Sequence, residues 1–420
     1  MIYLDISAAV HKRAGLGRYA ESLACALVAS AEATTDEAHS PPPQASRGSS
    51  GTYALFYNRE QGLPSLPLAG GPPPSVPPAC GGEREGGLER NAPADRRLAH
   101  LPQRTVALGY KPWRMLVWMG QLAHIGLDRL LPDADLFHAT EHLLLPLRSI
   151  PTVLTAHDLI FRHLPTHHKP LNRWYLNLAM PLYCHRATHI IAISETTRRD
   201  LIAAYDLPPQ KITVVPEAAA PHFRPQSAEA VTAVRKRYGL PGRYLLFVGT
   251  IEPRKNLSRL LQAFEVIHTE GLTEGLVIVG QRGWLYEGFF RRLESSPVRQ
   301  AVILPGRVPD EDLPAFYTGA QALVFPSLYE GFGLPVLEAM ACGTPVAASN
   351  ASSIPAVGGD AALYFDPTDV PGITEAIRCI LQQADRRTLM QTQGLKRAAQ
   401  FSWERAARET RAVYHKVLSR

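Results

Sequence analysis

Short apolar runs alternate with longer helix-patterned stretches along most of the chain, a rhythm that predicts parallel α/β layers. In the first half, strands are expected at Ile2 to Ile6, Tyr53 to Tyr57, Leu136 to Ala139, Thr152 to Ala156, His189 to Ile193 and Ile212 to Val215. The second half repeats the pattern at Tyr244 to Val248, Leu276 to Val279, Val302 to Leu304, Ala322 to Phe325 and Pro345 to Ala348. Two doubly wound sheets follow from this. The proline-bearing stretch from Pro216 to Pro241 divides them, giving a first domain over 1–220 and a second over 221–402, followed by a terminal helical segment over 403–420.

Two segments depart from the rhythm. Residues 35–104 carry Pro41-Pro42-Pro43, Pro72-Pro73-Pro74 and repeated glycines around one short strand at Tyr53. Such composition buries too little apolar area to offset its ordering entropy, so 59–104 is expected to be a disordered surface insertion. A loop expansion explains it, and a proline-rich ligand for a partner is the alternative. Next, Lys111 to Leu131 carries Trp113, Met115, Leu116, Val117, Trp118, Met119 and Leu122. Apolar residues on nearly every face predict a buried helix of the first domain, with a membrane-interface helix as the alternative.

A length of 420 residues favours two domains, and 45% hydrophobic with 20% charged residues is the composition of an ordinary globular protein. No run approaches the roughly 18 apolar residues of a membrane span. Met1-Ile2-Tyr3-Leu4-Asp5 lacks the basic and apolar regions of a signal peptide, so a cytoplasmic protein is expected. The five cysteines are scattered without C-x-x-C spacing, which argues against a disulfide framework or a zinc site. A net charge of +6 favours an anionic partner, whereas the dispersed basic residues and the lack of a nucleic-acid motif exclude nucleic acid from the expected partners.

The chemistry concentrates in two glycine-bearing turns. Ser327-Leu-Tyr-Glu-Gly-Phe-Gly-Leu-Pro-Val-Leu-Glu338 follows one apolar run and opens a helix, the geometry of an anion site. Gly331 and Gly333 let a phosphate approach the backbone, and the N–H groups from Leu334 onward point toward it. Glu330 and Glu338 bracket the turn. Val248-Gly-Thr-Ile-Glu-Pro-Arg-Lys-Asn256 occupies the same kind of strand end, where Arg254 offers a planar fork and Lys255 a point charge to a diphosphate.

These segments resemble the E-x-seven-E signature of retaining glycosyltransferases with the GT-B fold, the large group 1 family that includes many bacterial mannosyltransferases. Gly15-Leu-Gly-Arg-Tyr19, Ala156-His-Asp-Leu159, Ile193-Ser-Glu-Thr196 and Ala341-Cys-Gly-Thr-Pro-Val346 extend the likeness over most of the chain outside the insertion. The resemblance implies two Rossmann-like domains facing a cleft, the second binding a nucleotide sugar and the last helix crossing back to the first. It implies that Glu338 holds the ribose, that Glu330 contacts the transferred sugar, and that the backbone at Gly333 and Leu334 meets the diphosphate. Arg254 and Lys255 match the cations that stabilise the departing phosphate, although Thr250 stands where many members have an arginine. His157 matches a histidine near the attacked carbon.

Gly15 and Gly17 resemble the loop opposite the diphosphate, with helix initiation as an equal explanation. Val308 and Asp310 align with the segment meeting the nucleobase, and Asp310 is equally a helix N-cap. No metal is assigned, because Asp133-Ala-Asp135 and Asp310-Glu-Asp312 lie at a strand entrance and a helix start. No cofactor is expected beyond the donor, for which the resemblance favours GDP-mannose ahead of UDP- or dTDP-sugars. The implied partners are a glycan or lipid-linked acceptor and, peripherally, the cytoplasmic membrane face. A sugar-nucleotide epimerase of the same fold and a non-catalytic sugar-nucleotide or glycan-binding module are the alternatives.

Overall fold

Every strand expected from an apolar run forms, within a residue or two at either end, in the computed structural model, which describes residues 1–11, 14–36, 53–58, 98 and 100–419. The chain divides into two compact units, Met1–Thr152 and Val153–Arg420. Most of the insertion expected over 59–104 lies outside the described residues. At its end, however, Gln103 and Arg104 belong to a strand.

In the first unit, β1 (Ile2–Asp5), β2 (Tyr53–Asn58), β3 (Gln103–Val106) and β4 (Leu136–Ala139) run parallel in the order β3-β2-β1-β4. β1, β2 and β4 are buried along their whole length, as expected of parallel strands covered on both faces. Neighbour order reverses beside β1, so the chain leaving β1 and the chain leaving β4 meet at their carboxyl ends. There the Thr140 hydroxyl donates to the Asp5 carbonyl. The helix Ala14–Asp36 then packs beside Ser7–Val10.

The helix Tyr110–Ala123 corrects the expectation from sequence. It buries Trp113, Val117, Gly120 and Gln121, while Met115, Leu116, Met119 and Leu122 stand in solvent. Its apolar character exceeds what its buried face uses.

The second unit begins with β5 (Thr152–Ala156), β6 (His189–Ala192) and β7 (Ile212–Val214), parallel in that order. It continues with β8 (Tyr244–Val248), β9 (Gly275–Val279), β10 (Val302–Gly306), β11 (Ala322–Phe325), β12 (Val346–Ser349) and β13 (Ala362–Phe365). These six form a parallel sheet ordered β10-β9-β8-β11-β12-β13. β8 and β11 are its central neighbours although two other strands, β9 and β10, lie between them in the chain. That reversal of order is the point at which open α/β sheets bind ligands, and it brings the loops after β8 and β11 together. The last helix, Trp403–Leu418, packs on β6, and its Lys416 ammonium donates to the Gln210 carbonyl, in the turn before β7, at 3.2 Å.

Candidate functional site

The loop after β8 runs through a short 3-10 turn, Pro253–Lys255, into the helix Leu257–Thr269. Asn256 makes that junction with φ of 59°, a conformation asparagine tolerates better than most residues. Its side-chain amide donates to the Pro326 carbonyl at 3.1 Å and the Pro367 carbonyl at 2.6 Å. The loop is thus tied to the chain leaving β11. The Leu328 amide donates to the Arg254 carbonyl at 2.9 Å, and Arg254 Nη1 donates to the Tyr329 carbonyl at 2.9 Å.

This lacing sets four charges together. Lys255 Nζ lies 2.6 Å from Glu330 Oε1, Arg254 Nη1 lies 2.6 Å from Glu330 Oε2, and Arg254 Nη2 pairs with Glu252. Lys255 also sits 5.0 Å from the centre of the Phe325 ring. All four side chains are largely buried, so each charge depends on the others. Burial alone would raise the Glu330 pKa, but the Arg254 and then the Lys255 charges outweigh it and hold the carboxyl down at about 2. Burial works against the Arg254 guanidinium too, yet Glu330, Glu252 and Asp158 move its pKa upward. Lys255 shifts downward, driven by burial and then by Arg254, with Glu330 opposing. Glu330 is therefore an obligate anion at neutral pH and no proton donor.

Gly331 and Gly333 serve different ends. A Cβ on Gly331 would lie 2.0 Å from the His157 carbonyl oxygen, so its bare backbone makes room for the chain leaving β5. Gly333 has φ of 122°, a Cβ there would meet only Ile354 Cγ1 at 3.9 Å, and from there the helix Leu334–Ala341 starts. Its backbone can be approached closely, and the first-turn N–H groups follow at Leu334. The turn is held from below: Ser352 Oγ accepts from the Glu330 amide at 2.8 Å, and Ser353 Oγ lies 2.9 Å from the Glu330 carbonyl and 2.7 Å from that of Phe332. Inside the helix, Glu338 is buried and accepts from the Tyr317 hydroxyl at 2.7 Å.

His157 stands at the carboxyl end of β5, its Nδ1 3.3 Å from Glu217 Oε1, with both side chains buried. The Thr197 hydroxyl lies 3.1 Å from the His157 carbonyl and 3.4 Å from that of Gly331. His157 and the glycine turn are thus brought together by backbone as much as by side chain.

Val308 is buried just after β10. The N-cap position of the helix Leu313–Gly319 falls on Asp312, not on Asp310. Asp312 is engaged by Arg237 Nη1, 2.8 Å from both carboxylate oxygens, and by the Tyr238 hydroxyl at 2.7 Å. In the other D-x-D string, Asp133 accepts from the Tyr3 hydroxyl at 2.9 Å and Asp135 pairs with the N-terminal amine. In the first unit, Gly15 and Gly17 both fall in the first turn of Ala14–Asp36. A Cβ at Gly17 would lie 3.0 Å from the Ala8 carbonyl oxygen, so this glycine serves close helix packing, whereas nothing lies near a Cβ at Gly15.

The candidate site is therefore a strand-order switch point with a balanced cluster of cations and carboxylates beside a glycine-started helix, a geometry suited to an anionic ligand. Residues 233–397 match the family described as "Glycosyl transferases group 1", and residues 80–219 match that described as "Glycosyltransferase Family 4". The O-antigen chain mannosyltransferase B of Escherichia coli is 36% identical over 282 residues, which cover 67% of this chain and 74% of that protein. The chain belongs to the glycosyl transferases group 1 family.

The serotype-specific mannosyltransferase WbdA of Escherichia coli is 31% identical over 277 residues, 63% of this chain but only 33% of WbdA. The sucrose-phosphate synthase of Thermosynechococcus elongatus is similar in structure with a TM-score of 0.71 at 19% identity, covering 100% of this chain and 99% of that one. That likeness shows the fold, the GT-B arrangement of two Rossmann-like domains with parallel sheets. The enzyme is a glycosyltransferase. Glu252, Tyr317, Glu217 and the Ser352-Ser353 pair were given no role from sequence. Only Glu252 lies within a recognisable motif; the others reach the candidate site through tertiary contacts that no local spacing announces.

Proposed function

We propose that this glycosyltransferase moves a mannosyl group from GDP-mannose to a glycan or lipid-linked acceptor, with retention at the anomeric carbon, at the cytoplasmic membrane face. The observation that carries this reading is the buried Arg254, Lys255 and Glu330 cluster beside the Gly333 helix start. That both Escherichia coli relatives are mannosyltransferases supports the mannosyl preference.

In this reading the bond from the anomeric carbon to the diphosphate oxygen breaks, and its electron pair goes to the phosphate. Arg254, Lys255 and the N–H groups from Leu334 onward stabilise that growing charge without reorganising. The acceptor hydroxyl adds to the same face, and its proton passes to the leaving phosphate oxygen. Glu330 orients the cations and accepts from sugar hydroxyls, since an ion-paired carboxylate with a pKa of about 2 is a poor nucleophile and no acid. Glu338, oriented by Tyr317, holds the ribose, Val308 and Asp310 meet the base, and His157 lies beside the transferred sugar. Gly15 and Gly17 are assigned to the diphosphate side of the first domain.

The test is a panel of GDP-, UDP- and dTDP-sugars with purified protein, reading thermal stabilisation and then product configuration by NMR. GDP-mannose should give the largest stabilisation, and an α-linked donor should give an α-linked product. Stabilisation by none of the panel, or inversion of configuration, would overturn the proposal. Isomerised donor formed without acceptor would replace it with the epimerase reading.

A further inference from the structure

The helix Tyr110–Ala123 wastes apolar surface in water. Met115 is 42% exposed, Leu116 46%, Met119 60% and Leu122 52%, and the flanking Leu108 and Ile125 are 37% and 59% exposed. Among the described residues, six of the fourteen large hydrophobic side chains standing in solvent lie between Leu108 and Ile125. Scattered singly such residues mean nothing, whereas a contiguous group marks a contact surface. The opposite face is committed: Trp113 and Val117 are buried in the unit, and a Cβ on Gly120 would lie 3.0 Å from Pro146.

Charge identifies the occupant. The helix contains no acidic residue, and its first turns carry Lys111 and Arg114. Lys111, Met115, Met119 and Leu122 follow at i, i+4, i+8 and i+11, so an ammonium and three apolar tips share one stripe. The next acid along the chain, Asp128, already accepts from the Arg148 and Ser149 amides. An apolar stripe bordered by cations and free of acids suits the headgroup boundary of an anionic bilayer, where flexible Met and Leu tips sink and Lys snorkels outward. The core of a protein interface disfavours lysine. At 14 residues the helix is about 21 Å long, too short to span a core of about 30 Å, so it would lie along the surface. No helix among the described residues is long and apolar enough to cross a membrane.

We propose that the exposed face of Tyr110–Ala123, with Leu108 and Ile125, docks the enzyme onto an anionic lipid surface. This extends the membrane-face placement proposed above and rests on it only for the sign of the lipid. The experiment is co-flotation of the full chain with vesicles of phosphatidylcholine, with and without phosphatidylglycerol, alongside GDP-mannose affinity and melting temperature for each variant.

Wild type should float with the anionic vesicles. Leu116→Glu with Met119→Glu should weaken binding about a hundredfold, because two apolar side chains no longer enter the boundary. Lys111→Ala should weaken binding to anionic vesicles about fivefold and leave neutral vesicles unaffected. Donor affinity should not move in any variant, which separates failure of the docking surface from failure of the donor assignment. Absence of flotation by wild type, or undiminished flotation by the double variant, would overturn the proposal. So would a wild-type dimer in light scattering that the double variant converts to monomer, since a second copy would then cover this face.

Discussion

Glu330 commits both carboxylate oxygens to cations, Oε1 to Lys255 and Oε2 to Arg254, and that one fact shapes what each residue can do. With Glu252 on the far side of Arg254, the cations arrive balanced and oriented. Replacing Lys255 by Met keeps the Arg254 pair and most of the bulk. Turnover should fall by about 10²–10³ with the melting transition largely preserved, and equal turnover would remove Lys255 from the mechanism. The Glu330 pKa, about 2 against an ordinary 4.5, is lowered by folding. Its stabilisation is therefore complete above about pH 4.5 and lost as pH falls through 2. Urea unfolding between pH 5 and 2 should show this acid-side loss in wild type and a flatter profile in Glu330→Gln, which starts less stable by about 3–5 kcal/mol because buried Lys255 loses its carboxylate and Arg254 keeps only Glu252.

Tyr329 gives a subtler test. Its hydroxyl donates to Asp200, its ring stacks on His163 at 4.6 Å, and its carbonyl receives Arg254. Tyr329→Phe should raise KM for the donor by severalfold with kcat less affected. An unchanged KM would mean that this contact does not steady the Glu330 turn.

Among the elements, the strands most legible in the sequence are those buried on both faces. Tyr244–Val248 reads Tyr-Leu-Leu-Phe-Val and is buried throughout. Two edge strands with half-exposed positions were not expected from sequence: Gln103–Val106 is hidden by its polar residues, whereas Ala362–Phe365 is an apolar run, Ala-Leu-Tyr-Phe, too short to stand out. The same limit explains Tyr110–Ala123: a count of apolar residues does not say which face meets protein. The glycine turn was legible as a loop but not in its division of labour. Gly331→Ala drives a Cβ into the His157 carbonyl, so it should cost both stability and donor affinity. Gly333→Ala meets only Ile354 Cγ1 at an ordinary 3.9 Å, so its main cost is the positive φ, about 1–3 kcal/mol. Thermal melts and donor titrations on the two variants should separate accordingly, and equal effects would show that packing at Gly331 is not the constraint.

Across the whole molecule, the presence of two parallel sheets could be read from sequence because buried strands alternate with helical stretches, whereas the order of the strands could not. The closing helix Trp403–Leu418 buries Trp403, Val413, Tyr414 and Val417, so the last residues of the chain help hold the second unit together. Tyr414→Ala should destabilise that unit by about 3–5 kcal/mol, read as an earlier melting transition, and an unchanged melt would deny the helix that role. The contact between Gly331 and the His157 carbonyl has a further bearing on engineering. A hybrid enzyme joined at the proline-bearing stretch between Pro216 and Pro241 would take its Glu330 turn from one parent and the backbone pressed against it from the other. Donor preference exchanged in that way should travel faithfully only when residues 156–158 are transplanted with 327–338, as two halves of a single mould.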